Sequence, residues 1–148
     1  DQRAIEARQD VLVYSSEPLD KDMEVTGHID ITLYVSSDAK DTDFTVKLVD
    51  VDPDGVAYNV DDTIQRARYR EGYKTPVFMQ QCVVYDLNFI PLSTIILFNA
   101  LHIITLSLSS INFPHYMLNL IPFLSNYLLF ISFLPHISIH FFTSFYLP

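Results

Sequence analysis

Ile29-Asp30-Ile31-Thr32-Leu33-Tyr34-Val35 is the stretch that decides the fold. Four branched aliphatic residues alternate with Asp30, Thr32 and Tyr34. A period of two turns one side of an extended chain inward and the other toward water. The same pattern continues on both flanks. Phe44, Val46 and Leu48 alternate with Thr45 and Lys47, and Val11-Leu12-Val13-Tyr14 is a short β-prone run ended by Ser15-Ser16-Glu17-Pro18. Asp52-Pro53-Asp54-Gly55 reads as a turn, because Pro fixes φ and Gly supplies a positive φ. Residues 56–60 are then its return strand. Residues 63–70 alternate again, with Ile64, Arg66, Arg68 and Arg70 on one face. Residues 77–87 and 103–109 are further strand candidates. No segment before residue 120 carries a helical stripe. Many short strands at close spacing imply an all-β antiparallel sandwich or barrel. The expected core is Val11, Val13, Ile29, Ile31, Leu33, Val35, Phe44, Val46, Leu48, Ala67 and Tyr69.

Charge divides the chain. Asp and Glu number 18 against 9 Lys and Arg, a net charge of −9. That balance argues against nucleic acid, whose phosphates need clustered cations. All 27 charged residues lie between Asp1 and Asp86, and the last 62 positions carry none. The three glycines, Gly27, Gly55 and Gly72, are too far apart for a phosphate-cradling loop or a G-x-S-x-G nucleophile elbow. The lone Cys82 excludes an internal disulfide framework and a multi-cysteine zinc site, and one free thiol fits a reducing compartment. The first ten residues lack the apolar stretch of a signal peptide. With Asp1 in place of Met, the chain reads as a fragment or a processed piece.

Residues 121–148 differ in kind. They use only Ile, Pro, Phe, Leu, Ser, Asn, Tyr, His and Thr, all of which can be encoded without guanine. Translated non-coding or out-of-frame DNA has that composition. The physical rival is a membrane segment over residues 123–147, long enough to span if Pro135 is accepted as a kink. It lacks the flanking Lys or Arg that sets orientation.

Other constellations are weak. Asp50, Asp52, Asp54 and Gly55, with Asp61 at the twelfth position, imitate a calcium loop. Pro53 and the strand-like flanks favour an acidic hairpin turn instead. His136 and His140 would share a helical face, but no carboxylate stands near enough to complete a metal motif. His102 and His115 read as strand or loop histidines, and Cys82 as a small packed side chain within a strand. No catalytic, cofactor-binding or metal-binding residue is assigned, and no cofactor is expected.

The order of the pieces carries a resemblance. Asp10-Val11-Leu12-Val13-Tyr14-Ser15-Ser16-Glu17-Pro18-Leu19 is followed by Glu24-Val25-Thr26-Gly27. Then come Asp41-Thr42-Asp43-Phe44-Thr45-Val46-Lys47-Leu48-Val49-Asp50-Val51, the Pro53-Asp54-Gly55 turn, Arg66-Ala67-Arg68-Tyr69-Arg70, and Ser109-Ser110-Ile111-Asn112-Phe113-Pro114. Over residues 1–120 this resembles the C-terminal, non-catalytic domain of the X-Pro dipeptidyl-peptidase and cocaine esterase group of serine hydrolases. That group includes α-amino-acid ester hydrolases and glutaryl-type acylases.

The resemblance implies a jelly-roll β-sandwich of galactose-binding-domain type. It also implies an accessory role beside an α/β-hydrolase domain that holds the Ser-Asp-His triad, in cis upstream or in a partner chain. Packing there would shape the active-site mouth or a homo-oligomer interface. Arg66, Arg68 and Arg70 are candidate domain-interface residues that would meet acidic groups of that domain; the equal alternative is a solvated strand face, with local pairing to Asp61, Asp62 or Glu71.

Two departures stand out. Leu101-His102-Ile103 replaces the family's Gly-His-Arg-like turn, and Met117 stands where an acid is expected. Beyond Leu120 nothing matches, so the strand that closes the sandwich is expected to be missing or replaced. Outside this group, the rival roles are a free-standing carbohydrate- or protein-binding module and a tail-anchored membrane protein.

Overall fold

The computed structural model describes residues 1–89, 92–110, 127–133 and 137–141. After a one-turn helix α1 (Arg3–Glu6) come β1 (Val11–Ser15), β2 (Met23–Val35), β3 (Asp43–Val51) and β4 (Ala57–Arg66). A 3-10 turn at Ala67–Tyr69 follows. The remaining strands are β5 (Tyr85–Asn88), β6 (Leu92–Phe98), β7 (Ile103–Ser109), β8 (Tyr127–Phe133) and β9 (Ile137–Phe141). One sheet has the order β1-β7-β3-β4. The other runs β5-β2-β8-β9, with β6 also pairing along β2. Every pairing is antiparallel.

The two sheets share one core. Ile29, Ile31, Leu33 and Val35 of β2 belong to the same buried cluster as Phe44, Val46 and Leu48 of β3 and Ile104, Leu106 and Leu108 of β7. These are the alternating residues of the deciding stretch and its echoes, and the all-β sandwich follows from them. Burying each such side chain stabilises the fold by about 1.5–3 kcal/mol. A bulge interrupts the β3–β4 ladder: Leu48 faces Asp61 and Val49 faces Asn59, so Val60 is the extra residue, partly buried against the core.

Several expectations change on contact with the structure. In β1, Leu12 and Tyr14 pair with Leu108 and Leu106 and share their core side, whereas Val13 pairs with Ser107 and is 40% exposed. Val-Leu-Val-Tyr offers apolar residues to both faces, so its pattern fixes no phase. Tyr69 is half-buried. The alternation of residues 63–70 breaks at Arg66, where the 3-10 turn begins, so Arg66, Arg68 and Arg70 do not form one strand face. Residues 77–84 form a loop, and only residues 85–88 pair as β5. Cys82 is exposed in that loop, at φ +60°, rather than packed in a strand.

Residues beyond the resembling region supply two strands. Ile29 through Val35 pair with Phe133 through Tyr127 of β8, and β9 pairs with β8 beyond it. His140 stands in β9, in an extended rather than a helical segment. His115, Met117 and His136 lie outside the described residues, as do tail residues 121–126, 134–136 and 142–148. Among the described residues, no helix is long and apolar enough to cross a membrane.

The outward side of the first sheet is covered. Thr45, Lys47 and Val49 of β3 and Thr105 and Ser107 of β7 are all buried. The segment around α1 lies over them. Gln2 donates its backbone N–H to Ala57 O at 2.9 Å. Lys47 Nζ donates to Gln2 Oε1 at 3.1 Å, and Ser107 Oγ donates to Glu6 Oε1 at 2.9 Å. Lys47 and Ser107 thereby gain partners, which removes most of the cost of taking them from water.

Candidate domain interface

The end of the sandwich that begins β3 gathers two loops, residues 36–42 between β2 and β3 and residues 67–84 between β4 and β5. Asp41 in the first loop organises Arg66, the last residue of β4, and Arg68 in the second loop. Arg66 Nε donates to Asp41 Oδ2 at 2.9 Å, and the backbone N–H of Arg68 donates to Asp41 Oδ1 at 3.0 Å. Arg68 Nε stands 2.9 Å from the same Oδ2, an ion pair whose angle falls outside hydrogen-bond geometry. Arg66 also lies 3.7 Å from Asp43. Burial disfavours its charge most, but the hydrogen bond to Asp41 and the fields of Asp43, Asp41 and Tyr69 outweigh that, so its pKa rises.

Arg70 behaves differently. Its side chain is only 7% exposed, with its guanidinium carbon 4.3 Å from the Tyr85 ring centroid. It donates to Ala67 O and Val77 O and pairs with Glu71 at 3.3 Å. Arg70 therefore braces the loop from inside, whereas Arg66 and Arg68 keep part of their side-chain surface in water. Of the local partners expected from sequence, Glu71 pairs with Arg70. For Arg66 and Arg68 the carboxylates are Asp41, from the loop before β3, and Asp43, the first residue of β3, both 25 or so residues away in the chain.

Loop 67–84 is pinned along its length. Val77 N–H donates to Arg68 O at 2.8 Å, Met79 N–H to Lys40 O at 2.8 Å, Gln80 N–H to Tyr85 Oη at 2.9 Å and Cys82 N–H to Ser37 O at 3.3 Å. Met79 is buried in the core. Yet Tyr73 is 68% exposed, Phe78 52% and Val84 64%, and Val83 is exposed as well. Tyr73 stacks at a tilt on Tyr69, with ring centroids 5.6 Å apart.

At the opposite end, the acidic residues around Pro53 form a hairpin turn. Asp52 Oδ1 accepts the Val56 N–H at 2.8 Å, and Gly55, at φ +81°, donates to Asp52 O at 2.9 Å. Asp61 lies within β4 opposite Leu48, four residues along the strand from Ala57. Asp50 is paired with His102, whose Nδ1 lies 2.8 Å from Asp50 Oδ1. The would-be calcium ligands are thus spread along a ladder. Among the described residues, no three His, Cys, Asp or Glu side chains gather as a metal site. The Asp50–His102 contact joins β3 to the turn before β7, a pairing no local sequence signal announces.

That turn carries the other positive-φ residue without a glycine. Leu101 adopts φ +69°, its N–H donating to Leu19 O at 2.8 Å. The resemblance implies Gly in this turn, and Leu101 adopts a backbone conformation that favours Gly.

Comparison with known proteins agrees with this architecture. The family profile "X-Pro dipeptidyl-peptidase C-terminal non-catalytic domain" matches residues 2–121. Cocaine esterase of Rhodococcus sp. (strain MB1 Bresler) is 47% identical over 116 residues, 78% of this chain and 20% of that protein. An alpha-amino acid ester hydrolase superposes with a TM-score of 0.77 at 31% identity, over 80% of this chain and 21% of the other. An aminopeptidase from a marine sediment Thaumarchaeota archaeon does so with a TM-score of 0.77 at 30% identity, over the same shares of the two chains. The chain spans about a fifth of the length of these relatives. With a match over most of its length and the same paired sheets, it belongs to the family of X-Pro dipeptidyl-peptidase C-terminal non-catalytic domains.

Proposed function

We propose that this chain is the accessory C-terminal β-sandwich domain of a cocaine-esterase-like or X-Pro-peptidase-like serine hydrolase. Hydrolysis of an acyl ester or peptide bond belongs to an α/β-hydrolase domain that this sequence does not contain. The observation that carries the reading is the family match over residues 2–121 in a chain that covers a fifth of the length of its relatives. The domain is taken as residues 1–120 with jelly-roll connectivity, and the uncharged stretch 121–148 as lying outside the family pattern. The span of the family match supports that boundary. The part-exposed side chains of Arg66 and Arg68 support a place for them at the interface with the catalytic domain, with Arg70 as an internal brace.

The test is a transplant. The chain replaces the C-terminal domain of cocaine esterase, and hydrolysis of a chromogenic ester is measured. The chain alone is expected to give no turnover, and the chimera to be active. A chain that turns over ester on its own, with loss of activity to a serine-directed reagent, overturns the reading. So does a chimera that is soluble but inactive.

A further inference from the structure

The two ends of the sandwich differ in charge and in apolar exposure. One end holds residues 16–22, 52–56 and 99–102. There Glu17, Asp20, Asp22, Asp52 and Asp54 face one cation, Lys21, for a net charge of −4. The other end holds residues 36–42 and 67–84, where Lys40, Arg68, Arg70 and Lys74 balance Asp38, Asp41 and Glu71 to a net +1. Uncompensated carboxylates are costly to take from water. The second end is therefore the one a partner can cover cheaply, and it is also where the loop 67–84 turns Tyr73, Phe78, Val83 and Val84 outward. That loop is held by backbone hydrogen bonds and the buried Met79, so its apolar side chains are presented by a fixed frame. An ordered apolar patch with a polar rim marks a contact surface.

We propose that this face is the seat of the catalytic portion of the same polypeptide, with Tyr73 and Phe78 at the centre of the contact and Arg66 and Arg68 at its rim. The inference rests on the accessory-domain reading above. Its occupant is argued from length: in cocaine esterase about four-fifths of the chain lies outside the matched region. Reach is sufficient. Gln2 is fastened to Ala57 at the acidic end, so the partner attached there must extend along β3, about 30 Å for nine residues. A body about four times the length of this domain has a radius of gyration of about 22 Å, so its breadth covers that distance.

Cys82 sits in the loop, exposed, and serves as the reporter. Maleimide modification of Cys82, followed by peptide mass spectrometry, is compared between the free chain and the cocaine esterase chimera. Labelling is expected to slow at least tenfold in the chimera. Tyr73→Ser with Phe78→Ser is expected to restore the fast rate, Phe78→Leu is not, and far-UV circular dichroism of the free variants reports their folding. An active chimera in which Cys82 reacts as fast as in the free chain overturns this inference and leaves the accessory-domain reading standing. A soluble, inactive chimera overturns both. A free chain that dimerises in sedimentation, with Cys82 protected in the dimer, overturns it in favour of a second copy as the occupant.

Discussion

Between the core residues of β2 stand His28 and Asp30, both exposed, and Thr32 and Tyr34, both half-buried. Between the core residues of β3 stand Thr45 and Lys47, and both are buried. The two strands have the same alternation and the same inner faces, but only one outer face meets solvent. The difference is made by ten residues elsewhere in the chain. Gln2 and Glu6 bring an amide and a carboxylate over β3 and β7, where Lys47 and Ser107 meet them. Alternation thus reports that two faces differ in chemistry, not that the polar one is wet.

The inner faces are where the two strands should behave alike. Phe44→Ala on β3 is expected to cost about 3–5 kcal/mol and Ile31→Ala on β2 about 2–5 kcal/mol, read from urea unfolding. A cost under about 1 kcal/mol at either site would mean that strand does not line the core. The outer faces should separate. Lys47→Ala removes a buried donor and leaves Gln2 Oε1 without its partner, for a loss of about 1–3 kcal/mol. Asp30→Ala, on the exposed face of β2, should stay within about 0.5 kcal/mol. Equal losses would erase the contrast between the strands.

How much of this was legible follows from the same contrast. Ile29, Ile31, Leu33, Val35, Phe44, Val46 and Leu48 were readable because aliphatic and polar residues alternate without ambiguity. Val13 misled because every residue in its run suits either face, and phase was set by Leu106 and Leu108 across the ladder. Arg66, Arg68 and Arg70 misled in a different way. Period-two spacing survives a 3-10 turn as a string of letters, but the backbone no longer presents the three to one side. Asp41 could not be found as their partner, because only the β3–β4 pairing brings it beside Arg66. The strand β6 went unread beside the uncharged run that follows Asp86, where hydropathy has little contrast. The resemblance, by contrast, depended on the order of short motifs and was untouched by these local errors.

Asp41 sharpens the comparison from the interface side. Asp41→Ala removes the acceptor shared by Arg66 and the Arg68 backbone, and is expected to destabilise by about 1–3 kcal/mol. Asp38, an exposed residue of the same loop, is the control, expected within about 0.5 kcal/mol when replaced by Ala. A similar small effect at Asp41 would reduce the cluster to a surface ion pair. A smaller change of opposite sign is expected at Leu101. Leu101→Gly relieves a left-handed conformation at φ +69° and should stabilise by about 1 kcal/mol, seen as a higher Tm. A lowered Tm would mean that the Leu101 side chain contributes more than its backbone costs.

The smallest effect concerns the cover over β3 itself. Asp10 joins that segment to β1, and its hydrogen bond from Arg8 holds its carboxyl pKa below the usual value, with burial acting the other way. The matching contact raises the Arg8 pKa. A depressed carboxylate pKa means that the unfolded chain binds the proton more readily, so stability rises with pH through this group. Its contribution is fully present above the unfolded carboxylate pKa of about 4 and is lost as pH falls through the lower folded value. Both side chains are about a third exposed, 37% for Arg8 and 33% for Asp10, so solvent screening holds the gain under about 1 kcal/mol. The stability difference between wild type and Asp10→Asn, followed by urea unfolding, should therefore be constant from pH 7 to 5 and shrink below pH 4. Wild type and variant that keep the same gap down to the acid limit would show that Asp10 secures the cover through its backbone and shape, and that its charge plays no part in shielding the polar face of β3.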